Sequence, residues 1–116
     1  MNLKQLILIG IGGGLGSALR YYLSQLLHTY QWSKFNLGTL SVNIIGSFLI
    51  GLLMGYALKN EPENNYLISF AVIGFCGGFT TFSSFSLDNL ELLKQGDYIN
   101  FLIYSLGSLC LGILAV

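Results

Sequence analysis

The chain has 116 residues, of which 53% are hydrophobic and 9% charged, with five Lys+Arg balanced by five Asp+Glu. An ordinary soluble domain carries about 25% charged residues, so a soluble globule is excluded. The charge balance also excludes the basic patch that nucleic acid requires.

Four apolar segments follow one another, at about 3–27, 35–58, 66–93 and 98–116. Each is near the roughly 20 residues that span a bilayer, and polar connections at 28–34, 59–65 and 94–97 join them into one domain over 1–116. A cleaved signal peptide is the competing reading of the first segment. Its glycine content, its arginine and the absence of a clean small-x-small site speak against that. Pro62, the only proline, falls in a connection, where a helix stop is expected.

The first segment carries Gly10-Ile11-Gly12-Gly13-Gly14-Leu15-Gly16. No G-x-G-x-x-G register closes and no Walker lysine follows, so a phosphate loop is excluded. The four-residue spacings Gly12–Gly16 and Gly10–Gly14–Ala18 fit close helix–helix packing in a membrane instead. Arg20 lies near the end of this span. It either snorkels to the interface, anchors the backbone of a neighbouring helix, or attracts anions at a pore mouth. Tyr21, Tyr22, Tyr30 and Trp32 form an interfacial aromatic belt.

In the second segment Thr39, Asn43, Ser47, Gly51 and Gly55 recur every four residues as one small, polar stripe. Ser47, Gly51 and Gly55 read as a packing face. Asn43 differs, because a mid-membrane amide must find partners and its NH₂ offers two donors. It serves as helix glue or as a donor to an anion.

The third segment contains Gly74-Phe75-Cys76-Gly77-Gly78-Phe79-Thr80-Thr81-Phe82-Ser83-Ser84-Phe85-Ser86. Glycine is about 1 kcal/mol worse than alanine in a helix, so the helix is expected to break near Gly77-Gly78. Carbonyls freed in hydrocarbon need partners. No lysine or arginine lies within 74–86, so a bound metal ion is the economical expectation. Phe82 and Phe85, three apart, share a helix face among hydroxyls rather than lipid. In the fourth segment Tyr104, Ser108 and Gly112 are again four apart, with Ser105 and Gly107 alongside.

The donors available are the Asn43 amide and the hydroxyls of Thr39, Thr81, Ser84, Tyr104 and Ser108, with ring edges from Phe82 and Phe85. Ring edges carry the positive end of the aromatic quadrupole. This set is donor-rich and largely free of mid-membrane carboxylates, and it suits a small anion. One histidine, His28, and two cysteines, Cys76 and Cys110, make neither a metal nor a redox motif. No nucleophile–base–orienter arrangement can be assembled, so no enzyme is expected. Lysines divide evenly, with Lys4 and Lys59 on one side and Lys34 and Lys94 on the other, and Arg20, toward the second side, barely breaks the tie. The positive-inside rule therefore sets almost no orientation, as suits a chain that inserts both ways and pairs as an antiparallel dimer.

Three motifs in order closely resemble the small bacterial fluoride channels of the Fluc (CrcB-like) family. They are Gly13-Gly14-Leu15-Gly16-Ser17-Ala18-Leu19-Arg20-Tyr21, Gly38-Thr39-Leu40-Ser41-Val42-Asn43-Ile44-Ile45-Gly46, and the third-segment stretch at 74–86. The resemblance covers nearly the whole chain. It implies an all-α, dual-topology antiparallel homodimer in the bacterial cytoplasmic (inner) membrane, with two passive fluoride pathways. It further implies a structural sodium ion held by the carbonyls of Gly77 and Thr80 from both subunits. Phe82 and Phe85 would line each pathway, Asn43 would stand at its entrance, and Tyr104 and Ser108 would continue a polar track. Gly112 departs from that pattern, standing where another hydroxyl is expected. A proton-coupled small multidrug exporter has similar size and topology but needs a first-helix glutamate, and the first segment has no carboxylate. A non-transporting membrane scaffold is the third alternative.

Overall fold

The computed structural model describes residues 2–28, 36–60 and 66–116. Tyr30, Trp32, Lys34, Phe35 and Pro62 lie outside the described residues.

The described chain is helical. Helix α1 is Leu3–His28 and α2 is Leu37–Asn60. The third span begins with α3, Ile68–Cys76, continued by the short turn Gly77–Phe79, and resumes as α4, Ser83–Lys94. Helix α5 is Tyr98–Ala115. Four stretches are long and apolar enough to cross a membrane, namely Leu3–Leu27, Leu37–Lys59, Ile68–Lys94 and Tyr98–Ala115. The molecule is elongated, 51 × 25 × 23 Å.

Local chemistry sets the helix ends. Asn2 and Gln5 form a reciprocal capping box, Gln5 N donating to Asn2 Oδ1 at 2.9 Å and Asn2 N to Gln5 Oε1 at 3.1 Å. The Asn36 side chain accepts from Thr39 N at 3.1 Å to start α2. Helix α4 ends in a Schellman motif, with Asp97 N donating to Leu92 O and Gly96 N to Leu93 O. Gly96 is there because φ is +74°, a region L-residues other than Asn and Asp avoid. Asp97 then caps α5 through Asn100 N at 3.3 Å.

Packing is closest between α1 and α3. Gly12 and Gly16 face the backbone of 70–79 so closely that a Cβ at Gly12 would stand 2.9 Å from Phe75 N and one at Gly16 2.9 Å from Phe79 N. Gly74 and Gly78 answer from the other side, against Ile9 and Gly13. The Gly12–Gly16 spacing thus serves close packing, as expected. A Cβ at Gly10 or Gly14 would meet nothing within 4 Å among the described residues, so that row does not pack within this chain. Few apolar side chains are fully buried, while Leu15, Ile103 and Leu109 are more than half exposed. That distribution fits a chain surrounded by lipid or a second copy rather than water.

Helix α3 is π-wound, and Gly77 N reaches the Val72 carbonyl five residues back. Gly77 and Gly78, where the break was expected, are themselves helical; the non-helical residues are 80–82. Gly78 is occupied with the close approach to α1. Departure from the helix falls to Thr80, whose backbone is extended at φ −89°, ψ 156°. Threonine hydroxyls offer the backbone alternative partners. Thr80 Oγ1 donates to Cys76 O at 2.9 Å, and Thr81 Oγ1 accepts from Ser84 N at 3.2 Å where α4 begins.

Candidate functional site

The site is built around residues 80–82 and the side chains that reach them from α1 and α2. Asn43 Nδ2 donates to Thr81 O at 3.0 Å, and Thr81 N donates back to Asn43 Oδ1 at 2.7 Å. One amide thus satisfies both polar groups of a peptide residue that no helix ladder serves. From α1, Arg20 Nε donates to Gly78 O at 3.0 Å, with Ser17 Oγ on the same oxygen at 3.4 Å. The expectation that no protein cation reaches this stretch is therefore corrected. Arg20 is distant in sequence but arrives through the fold, and the anchoring reading is the one its geometry matches.

The Cys76 carbonyl accepts from both Thr80 N and Thr80 Oγ1 at 2.9 Å. Among the described residues, no hydrogen bond reaches the carbonyls of Gly77 or Thr80. Gly77 is exposed on this chain. These two carbonyls belong to residues three apart, just before and at the interruption. Such oxygens suit a hard cation. Among the described residues no cluster of three His, Cys, Asp or Glu exists that could hold a metal otherwise.

Asn43, Ser47, Ile50, Thr80, Thr81 and Phe82 line a pocket of about 240 Å³. Its lining holds amide and hydroxyl groups and no ionisable side chain. Ser47, read from sequence as packing only, is part of it. Phe82 is 78% exposed and stands at the N-terminal end of α4 rather than inside a helix. Its ring nonetheless lies 5.9 Å from that of Phe85, which in turn is 5.0 Å from the Tyr104 ring.

Beyond the rings the polar set departs from expectation. Tyr104 is buried, and its hydroxyl donates to Asp88 Oδ2 at 2.8 Å. Thr39, also buried, hydrogen-bonds Tyr104 with its side chain. Asn36 Nδ2 approaches the other Asp88 oxygen at 3.5 Å. A carboxylate therefore sits within the set expected to be largely free of them, and the Tyr104 proton points at it. Asp88, one helical turn after Phe85, went unremarked because its partner is on another helix. Ser105 donates to Asn89 at 3.1 Å, joining α4 to α5. Ser108 Oγ is buried without a hydrogen-bond partner among the described residues. Gly112 faces Ser47, whose Oγ would lie 3.8 Å from a Cβ there.

A family model described as "CrcB-like protein, Camphor Resistance (CrcB)" matches residues 7–116. The chain belongs to this CrcB-like family. A relative from Azobacteroides pseudotrichonymphae, named "Fluoride-specific ion channel FluC", is 46% identical over 98% of this chain and 91% of its own length. A Phocaeicola vulgatus protein of the same name is 47% identical over 98% of this chain and 93% of its own. One from Aquifex aeolicus, again so named, is 38% identical over 90% and 85%. With four membrane-competent helices, this CrcB-like protein is a multi-pass bacterial membrane protein.

In this CrcB-like chain the fold brings together Asn43, Thr80, Thr81 and Phe82 at the pocket, while Arg20 holds the Gly78 carbonyl. Ser84 contributes its backbone N–H to Thr81. Thr39 and Tyr104 gather instead around Asp88, and Ser108 stands one turn further along α5. The Arg20 contact carries a prediction. A hydrogen bond to a charged donor contributes about 1.5–3 kcal/mol. Arg20→Ala should therefore destabilise the protein by that order, lowering its thermal unfolding midpoint in detergent. Ser17→Ala, which removes a longer contact to the same oxygen, should do less.

Proposed function

We propose that this CrcB-like chain forms a fluoride-selective channel that exports fluoride passively through two pathways in an antiparallel, dual-topology homodimer. The observation that carries this reading is the pocket at the interruption, lined by Asn43, Ser47, Thr80, Thr81 and Phe82. It offers amide and hydroxyl donors and an exposed ring, with no carboxylate to repel an anion and no cation to trap one. A pore must bind its ion well enough to admit it and weakly enough to release it. The relatives' name supplies the ion.

The dimer follows from what one chain leaves undone. Four helices are too few to enclose a generous pore, and among the described residues no hydrogen bond reaches the Gly77 and Thr80 carbonyls. Unsatisfied carbonyls in hydrocarbon are unfavourable by several kcal/mol each. Two copies meeting about a two-fold axis would bring four such oxygens together, and a sodium ion is the occupant they suit. When bound, it would neutralise those oxygens and add positive charge between the pathways. The even division of lysines between the two sides supports insertion in both orientations.

Purified protein in fluoride-loaded liposomes, with a potassium ionophore present, should release fluoride rapidly and chloride poorly. Equal fluxes of the two anions, or a protein that moves neither, would defeat the reading. Proton-coupled uptake of an organic cation would point to an exporter instead.

A further inference from the structure

We propose that Gly46 is a positioning residue for the interruption, holding Thr80 so that its carbonyl stays turned toward the cation site. This rests on the sodium reading above.

Helix α2 grips the interruption at two points. Asn43 takes the backbone of Thr81. One turn later, buried Gly46 lies against Thr80, and a Cβ there would overlap the Thr80 Cγ2 methyl and stand 3.4 Å from Phe79 Cδ2. The Thr80 methyl cannot easily turn away. Its Oγ1 is committed to Cys76 O at 2.9 Å, and the backbone N–H of Thr80 shares that oxygen. The rotamer is fixed, so the methyl must point at α2.

Glycine is the poorest helix former after proline, and Gly46 stands inside α2. No special backbone dihedral explains it, since among the described glycines only Gly96 has positive φ. Space for the Thr80 methyl is the explanation that remains. With that methyl seated, Thr80 keeps φ −89°, ψ 156°, and its carbonyl stays out of the helical ladder. A side chain at 46 would push Thr80 off α2 and swing that oxygen.

The test is a rescue. Thr80→Ser deletes the methyl but keeps the hydroxyl for Cys76. Full-length wild type, Gly46→Ala, Thr80→Ser and the double variant would be purified and depleted of sodium. Thermal stability would then be measured against added sodium chloride, with lithium and potassium chloride as ionic-strength controls, alongside fluoride efflux. A cation that binds the folded protein raises its stability by mass action, so the midpoint of that rise reports the site. Gly46→Ala should raise the sodium midpoint by about tenfold or more and cut efflux by a similar factor. Because Thr80 itself lines the pocket, the comparison is a cycle: measured against Thr80→Ser, whatever that variant's own level, the double variant should differ by no more than about threefold. If Gly46→Ala yields no folded protein, recovery of folded, sodium-responsive protein in the double variant supports the proposal equally. A double variant that falls as far below Thr80→Ser as Gly46→Ala falls below wild type, or a Gly46→Ala protein like wild type, overturns it. A wild type indifferent to sodium overturns the cation reading and this inference together.

Discussion

Replacing Asn43 with aspartate should reduce fluoride efflux by about a hundredfold or more, while the protein still inserts and elutes as an oligomer. Asparagine and aspartate have nearly the same shape, so packing around α2 is preserved. The hydrogen-bond pattern is not. Asn43 meets Thr81 with a donor against its carbonyl at 3.0 Å and an acceptor against its N–H at 2.7 Å. Aspartate keeps the second contact and turns the first into two opposed oxygens. A buried group left unsatisfied loses about 1–3 kcal/mol, more where charge is involved. The ionised carboxylate also faces the pocket through which an anion is proposed to pass. Each 1.4 kcal/mol is tenfold in an equilibrium, so the two effects together reach the hundredfold range. Efflux from liposomes, with size exclusion to check assembly, measures the result. Normal conduction by Asn43→Asp would show that neither the Thr81 grip nor the donor character of this residue governs permeation.

The four spans were legible because hydrocarbon enforces length and apolarity, and both are properties of a single run of sequence. Helix α2 begins at Leu37 and α5 at Tyr98, within two residues of the expected starts. Polar residues that need an explanation in a membrane, Arg20 and Asn43 above all, were legible for the same reason. Their partners were not. Arg20 bonds a residue 58 positions away and Asn43 one 38 away, and periodicity carries no information about such pairings. The glycine pair shows the opposite failure. Gly77-Gly78 reads as a helix breaker by propensity, yet Gly78 remains helical and allows contact with α1. The chain leaves the helix at the threonines, whose hydroxyls compensate for the ladder bonds lost. Asp88, in the middle of α4, was missed because its role depends on Tyr104, which only the fold brings against it from α5.

Phe82→Ile and Phe85→Ile should each lower fluoride efflux by about tenfold or more, and the two should differ in what they do to stability. Both substitutions keep an apolar side chain of comparable bulk and remove the aromatic quadrupole. Phe82 is 78% exposed on one chain and borders the pocket that Asn43 and Thr81 line. A ring held there, 5.9 Å from its neighbour, can turn a partly positive edge toward an anion, which isoleucine cannot do. Phe85 has a second task, since its ring lies 5.0 Å from that of buried Tyr104. Aromatic pairs contribute about 0.5–1.5 kcal/mol beyond their buried area. Phe82→Ile removes one such pair, at the exposed end of the row, and Phe85→Ile removes two, so Phe85→Ile should lower the thermal unfolding midpoint further while both lower the flux. That contrast makes Phe82→Ile the sharper test of anion contact. Efflux assays and thermal unfolding of the same preparations separate the two effects. Wild-type flux in both variants would show that the rings only pack. Lost flux from Phe82→Ile with an unfolding midpoint lowered as far as that of Phe85→Ile would mean that Phe82 acts through structure.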